Sequence, residues 1–182
     1  GDVRWSWAGD GPGYASPIVA DLGGTRQIIV PTQAKLVSVD AATGALLWER
    51  PLVHQFSSNA ITPIVYGQAV IVAGTGPLME IAVARRGTQW TTEQVWENTD
   101  LPLRFTTAVL VGDTLYGMST RNSGQYFAVD AKSGKTLWLS EGRQAGNVAM
   151  ATAGPVVLSL ENDGELVVLR ASQSAFELVK RY

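Results

Sequence analysis

Chemistry at a protein site needs nucleophiles, acids, bases or metal ligands, and this chain offers few of them. It has one histidine, His54, and no cysteine. His54 is the natural general base because its unperturbed pKa is near neutrality, yet no serine stands at a recognisable nucleophile spacing, and a metal site needs three or four ligands. Asp100 and Asp163 stand outside the tight turns, but a glycoside hydrolase would need both to face one cleft. Asn98-Thr99-Asp100 and Asn162-Asp163 carry the oxygen atoms that calcium prefers. Both fall where loops are expected, and solvated turns account for them.

The residues with the most regular spacing are structural in character. KLVSVDAATGALLWER (Lys35 to Arg50) returns as QYFAVDAKSGKTLWLS (Gln125 to Ser140), aligning Asp40 with Asp130, Thr43 with Ser133, Gly44 with Gly134 and Trp48 with Trp138. An aspartate ending a strand accepts backbone N–H bonds across the adjoining turn, and a Thr or Ser hydroxyl caps the same turn. Glycine supplies the positive φ. The tryptophan then lies on the next strand, where its flat ring can pack against a neighbouring sheet. A third stretch, Glu80 to Glu97, repeats the ladder with a longer, degenerate turn at Ala84 to Thr88 and ends on Trp96. Recurrence in successive repeats marks the Asp and Trp as architectural rather than catalytic.

These residues must be positioned by short strands. Each repeat divides into four apolar or alternating runs bounded by turn residues, and the Trp-to-Trp spacing fits the period of four-stranded propeller blades. The expected fold is all-β: a β-propeller of four-stranded antiparallel blades, about four of them present, as part of a seven- or eight-bladed ring. The blades are expected at 16–51, 58–98, 103–141 and 146–182. Val3-Arg4-Trp5-Ser6-Trp7 alternates like a strand and reads as an orphan outer strand over 3–7.

Composition narrows the function classes. Fourteen Lys+Arg against sixteen Asp+Glu give a net charge of −2 without a basic run, so nucleic acid is not an expected partner. No stretch approaches the ~18 apolar residues of a transmembrane helix, and the opening GDVRWSWAGDG has no signal-peptide pattern.

SVDAATGALLW and AVDAKSGKTLW resemble the tryptophan-docking motif of pyrroloquinoline-quinone (PQQ) type β-propellers. Gly13 to Thr32 (GYASPIVADLGGTRQIIVPT) is similar to PQQ-like repeat proteins of bacterial envelopes, a group that includes the propeller lipoprotein of the outer-membrane assembly machine. The resemblance implies a non-catalytic scaffold, periplasmic or envelope-associated, that holds no cofactor and binds a protein partner or small ligand through one loop face. The loops leading into each first strand and joining second to third strands share that face in a propeller, which assigns Tyr14, His54, Asn59, Arg104, Phe105, Arg121 and Arg143 to it. The alternative is a fragment of a PQQ-dependent alcohol or sugar dehydrogenase with PQQ and calcium. Those enzymes carry an adjacent-cysteine disulfide and an aspartate base, and neither the cysteine pair nor a matching calcium-ligand set is present here.

If Trp138 packs against a neighbouring blade, Trp138→Ala costs about 3–5 kcal/mol in urea melts. A loss under about 1 kcal/mol would show that the ring is not a packing residue.

Overall fold

A computed structural model describes residues 1–52, 59–73 and 76–182. Sixteen strands among these residues form four antiparallel sheets, each ordered as in the sequence. The first holds β1 (Ile18–Leu22), β2 (Thr25–Pro31), β3 (Lys35–Asp40) and β4 (Leu46–Pro51). The second holds β5 (Ile64–Tyr66), β6 (Ala69–Ala73), β7 (Leu78–Arg86) and β8 (Gln89–Asn98). The third holds β9 (Val109–Val111), β10 (Thr114–Ser119), β11 (Gln125–Asp130) and β12 (Thr136–Leu139), and the fourth β13 (Val148–Ala153), β14 (Val156–Glu161), β15 (Leu166–Arg170) and β16 (Glu177–Arg181). The expected all-β architecture of four propeller-type blades is what the chain adopts. One turn of 3-10 helix, Arg121–Ser123, is the sole helical element among the described residues.

Two local expectations are corrected. Val3–Trp7 alternates in sequence but joins no ladder among the described residues. The longer turn foreseen near Ala84 to Thr88 is instead extra strand. β7 and β8 run nine and ten residues and meet at Gly87-Thr88, with Gly87 at φ 62°, so the added length goes into hydrogen-bonded ladder rather than loop.

The chain divides into two compact units, Gly1–Val95 and Trp96–Tyr182, with β8 running across the division. In the first, alternate residues of β1 to β4 (Leu22, Ile29, Leu36, Trp48) pack with Val70, Val72 and Ile81 of the second sheet. The period-2 pattern of a strand puts these side chains on one face. Gln27 is fully buried among them, and every polar atom it carries is used. Its Oε1 accepts from Trp48 Nε1 (2.9 Å) and Ser38 Oγ (2.6 Å), and its Nε2 donates to the Leu22 carbonyl (2.8 Å). At the far end of β7, Arg85 lies over the Trp90 ring (5.4 Å) and donates to Thr25 Oγ1 (2.9 Å), clasping the β1–β2 turn.

In the second unit, Tyr116, Tyr126, Val148, Val157, Val167 and Leu169 form the core, flanked by Trp138 and Phe176. Phe176 stacks on Tyr126 at 5.5 Å and meets Trp138 edge-on at 5.9 Å. The Tyr126 hydroxyl lies 2.8 Å from Ser159 Oγ and 2.9 Å from Glu161 Oε1. Burial pushes both the tyrosine and Glu161 upward in pKa, and Arg181 partly offsets this at 3.6 Å from the carboxylate.

The two repeated turns are nearly identical in their bonding. Asp40 Oδ1 accepts from the backbone N–H groups of Ala42 (3.0 Å) and Thr43 (2.8 Å) and from Thr43 Oγ1 (2.9 Å). Asp130 Oδ1 accepts from Ser133 N (2.8 Å) and Oγ (2.7 Å). Gly44 and Gly134 sit at φ 73° and 71°, a region costly for residues with a Cβ. Each glycine also lies beneath an indole: a Cβ would run into the Trp5 ring at Gly44 and into the Trp96 ring at Gly134. Trp5 Nε1 donates to Ala41 O (3.3 Å), Trp96 Nε1 to Ala131 O (2.9 Å), and Trp138 Nε1 to Ser172 O (2.8 Å). Trp48 differs, since its N–H turns inward to Gln27.

These contacts carry two testable outcomes. Gln27→Ala strands a buried indole N–H and a buried hydroxyl, and costs about 2–4 kcal/mol in urea melts. The turn hydrogen bonds hold Asp40 and Asp130 below the ordinary carboxylate value of 3.8. Ionised, they stabilise the folded chain above that value, and the contribution is lost as pH falls through the lower folded-state values. An Asp40→Asn, Asp130→Asn double variant therefore melts below wild type at neutral pH, with the gap narrowing as pH falls below the ordinary carboxylate value of 3.8; a gap independent of pH would contradict the turn electrostatics.

Candidate functional site

In the second unit, four connecting segments are laced into one surface by hydrogen bonds. Thr120 N donates to Pro102 O (3.0 Å), Arg143 N to Asn122 O (2.9 Å), Gln144 N to Gly124 O (3.1 Å) and Asn162 N to Asn147 O (3.1 Å). Side chains add further ties. Arg121 Nη1 donates to Asp100 O (3.0 Å), Arg181 Nη2 to Gln144 Oε1 (2.7 Å), and Asn162 Oδ1 accepts from Gly146 N (3.0 Å) and Asn147 N (3.2 Å).

This surface holds the non-glycine residues with left-handed backbone among the described residues: Asn122 (φ 46°), Ser123 (φ 61°) and Arg143 (φ 62°). Such positions are held only where the surroundings over-determine them, and they cluster at functional segments. Here the packing is tight: a Cβ on Gly124 would strike the Ala145 carbonyl oxygen, and one on Gly142 would meet Asn122 O at 2.7 Å. Asn122, Ser123, Glu141, Gly142 and Arg143 line an open cleft of about 400 Å³. In the same unit, on the segment before β9, Phe105 is 52% exposed, with Arg104 Cζ 5.2 Å from its ring.

Of the residues assigned from sequence to one loop face, Arg104, Phe105, Arg121 and Arg143 thus occur in one unit, on its connecting segments. Tyr14 belongs to the first unit and is 78% exposed. Asn59 is fully buried there: its Nδ2 donates to Thr32 O (2.8 Å) and Leu52 O (3.2 Å), and its backbone carbonyl accepts from Tyr14 N and Ala15 N (both 2.9 Å). It fastens the segment before β1 and presents nothing to a partner. His54 lies outside the described residues. Asn122 and Ser123 are not singled out by residue type alone, although Asn-Ser-Gly between two strands is a signal for left-handed backbone.

Several of the candidate calcium oxygens take part in turn hydrogen bonds. Asn98 Oδ1 accepts from Asp100 N (3.0 Å), its Nδ2 donates to Gly134 O (2.7 Å), and Asp163 Oδ1 accepts from Glu165 N (3.1 Å). Asn98 and Asp163 each serve a turn, and among the described residues no three His, Cys, Asp or Glu side chains gather as a metal site. No described helix is long and apolar enough to cross a membrane.

Comparison with known proteins agrees with this architecture. The chain is similar to BamB from Moraxella catarrhalis, with 22% identity over 98% of the chain and a TM-score of 0.65, and it spans about half (51%) of that protein's length. It is also similar to the computationally designed Ika4 protein (16% identity, 94% of this chain, 99% of that one, TM-score 0.67), a likeness of fold alone. Among curated proteins none matches. The sequence profile of the family described as outer membrane protein assembly factor BamB matches residues 1–180, and to that family of PQQ-like propeller proteins this chain belongs.

Proposed function

We propose that the chain is a non-catalytic binding scaffold of the bacterial envelope and that its partner is a protein engaged through the laced loops of the second unit. The observation that carries this reading is Phe105, a half-exposed aromatic flanked by Arg104 in a unit whose loops are fixed by backbone hydrogen bonds. Aromatic and arginine side chains dominate interface hot spots, and a surface already ordered loses little entropy on binding. Family membership supports the envelope setting, since the family is described as an outer-membrane protein assembly factor. Asn98, Asn162 and Asp163 in the same unit each serve a turn, which supports a structural use of these polar groups.

The test is binding of the full-length protein to the purified outer-membrane assembly complex of its own organism. Arg104→Ala with Phe105→Ala weakens it by at least about tenfold, while Tyr14→Ala in the first unit leaves it within about twofold. Unchanged affinity in the double variant would refute the loop assignment. Stoichiometric PQQ uptake with calcium and dye-linked alcohol oxidation would overturn the non-catalytic reading itself.

A further inference from the structure

The cleft lined by Asn122, Ser123, Glu141, Gly142 and Arg143 lies between the β10–β11 loop and the segment joining β12 to β13. Each wall connects two described strands, and the frame is fixed from beneath. Gln125, itself buried, accepts from Asn122 Nδ2 (2.9 Å) and donates to Ser140 O (2.7 Å), so one side chain spans both walls. Glu141 O accepts from Ser140 Oγ (2.8 Å) and Gln144 Nε2 (3.2 Å), and Arg143 N donates to Asn122 O (2.9 Å).

The side chains above that frame are uncommitted. Among the described residues the Ser123 hydroxyl, the Glu141 carboxylate and the Arg143 guanidinium make no hydrogen bond or ion pair, with one another or with any neighbour. Other charges of this unit are matched: Lys132 with Asp113 (2.6 Å), Arg170 with Glu177 (3.5 Å), and Arg181 with Glu161 and Glu165. Ser123 and Arg143 also stand at positive φ, a backbone that side chains adopt at a cost. A carboxylate only accepts, a guanidinium only donates, and a hydroxyl does both. The complement of that set is an anion and a cation held close together, because residues two apart in a chain have Cα atoms within about 7 Å. A ligand charged with one sign alone would meet attraction and repulsion in the same cleft.

We propose that this cleft is the specificity element of the binding surface and receives a segment of the protein partner bearing an acidic and a basic side chain no more than two residues apart, the acid paired with Arg143 and the base with Glu141. This role rests on the protein-binding reading of the same loops. In water two such pairs add little affinity. Covered by the partner, they select a segment whose charges stand in that order and reject one whose charges repel. The Ser123 hydroxyl remains to bond a main-chain group of the segment.

The experiment is binding of the full-length protein to the purified outer-membrane assembly complex of its own organism, with a photo-crosslinking residue at position 123 in a parallel preparation. Glu141→Lys and Arg143→Glu each weaken binding by about tenfold or more. The exchanged variant, Glu141→Arg with Arg143→Glu, keeps the net charge and binds no better than either single variant. The crosslinked partner peptide carries an acid and a base within two residues of each other. Full affinity in the exchanged variant, or a crosslinked peptide without that pair, overturns the proposal. So does a crosslink to residues of the same chain, which would show the cleft covered from within. If both single variants bind like wild type while Arg104→Ala with Phe105→Ala still weakens binding, the cleft assignment fails and the loop reading stands; if neither set weakens binding, both fail.

Discussion

An indole lying flat on a glycine is the constraint on which much of this structure depends. The ring needs the space that a Cβ would fill, so the residue beneath it can only be glycine, and that glycine must be lifted toward the ring by a backbone at positive φ. Asp40 and Asp130 do the lifting by gathering the turn's N–H groups. The tryptophan N–H then finds a carbonyl that the turn itself has exposed. Four sheets with separate ladders share no ladder hydrogen bonds, so large flat rings and shared apolar faces must hold neighbours together. Where the turn sequence is lost, the solution changes. Trp48 turns its N–H to Gln27, and Arg85 with Trp90 reaches back to the β1–β2 turn.

Most of the fold was legible because its signals are local. Alternation and turn residues located the strands, and the Asp-x-x-Thr/Ser-Gly string located the two turns that the structure builds from those side chains. The features hidden from sequence depend on what lies alongside. The stretch from Ala84 to Thr88 reads as a poor turn, but whether spare residues become loop or ladder is decided by the pairing of β7 with β8. Val3–Trp7 has the alternation of a strand but joins no ladder among the described residues. Asn59 reads as a loop residue suited to a partner, and only the three-dimensional arrangement of Thr32, Leu52 and Tyr14 turns it into a buried fastener.

The candidate site was legible in composition and illegible in geometry. Arg104, Phe105, Arg121 and Arg143 stand out as cations and an aromatic in expected loops. The relation between their segments rests on bonds between residues distant in sequence, such as Arg143 to Asn122, which leave no compositional trace. The second unit also joins its loops to its interior through Arg181, which contacts both the buried Glu161 and the loop residue Gln144. Buried charge of this kind is a poor source of net stability, and in some proteins it specifies a single arrangement.

Four of the ties between loop segments of the second unit run through main-chain atoms alone, and any residue that tolerates the local φ and ψ can supply those. Shape and chemistry are thereby uncoupled. Side chains pointing outward from these segments can be exchanged while the contour beneath them persists, so related chains could keep one mould and print different recognition surfaces on it.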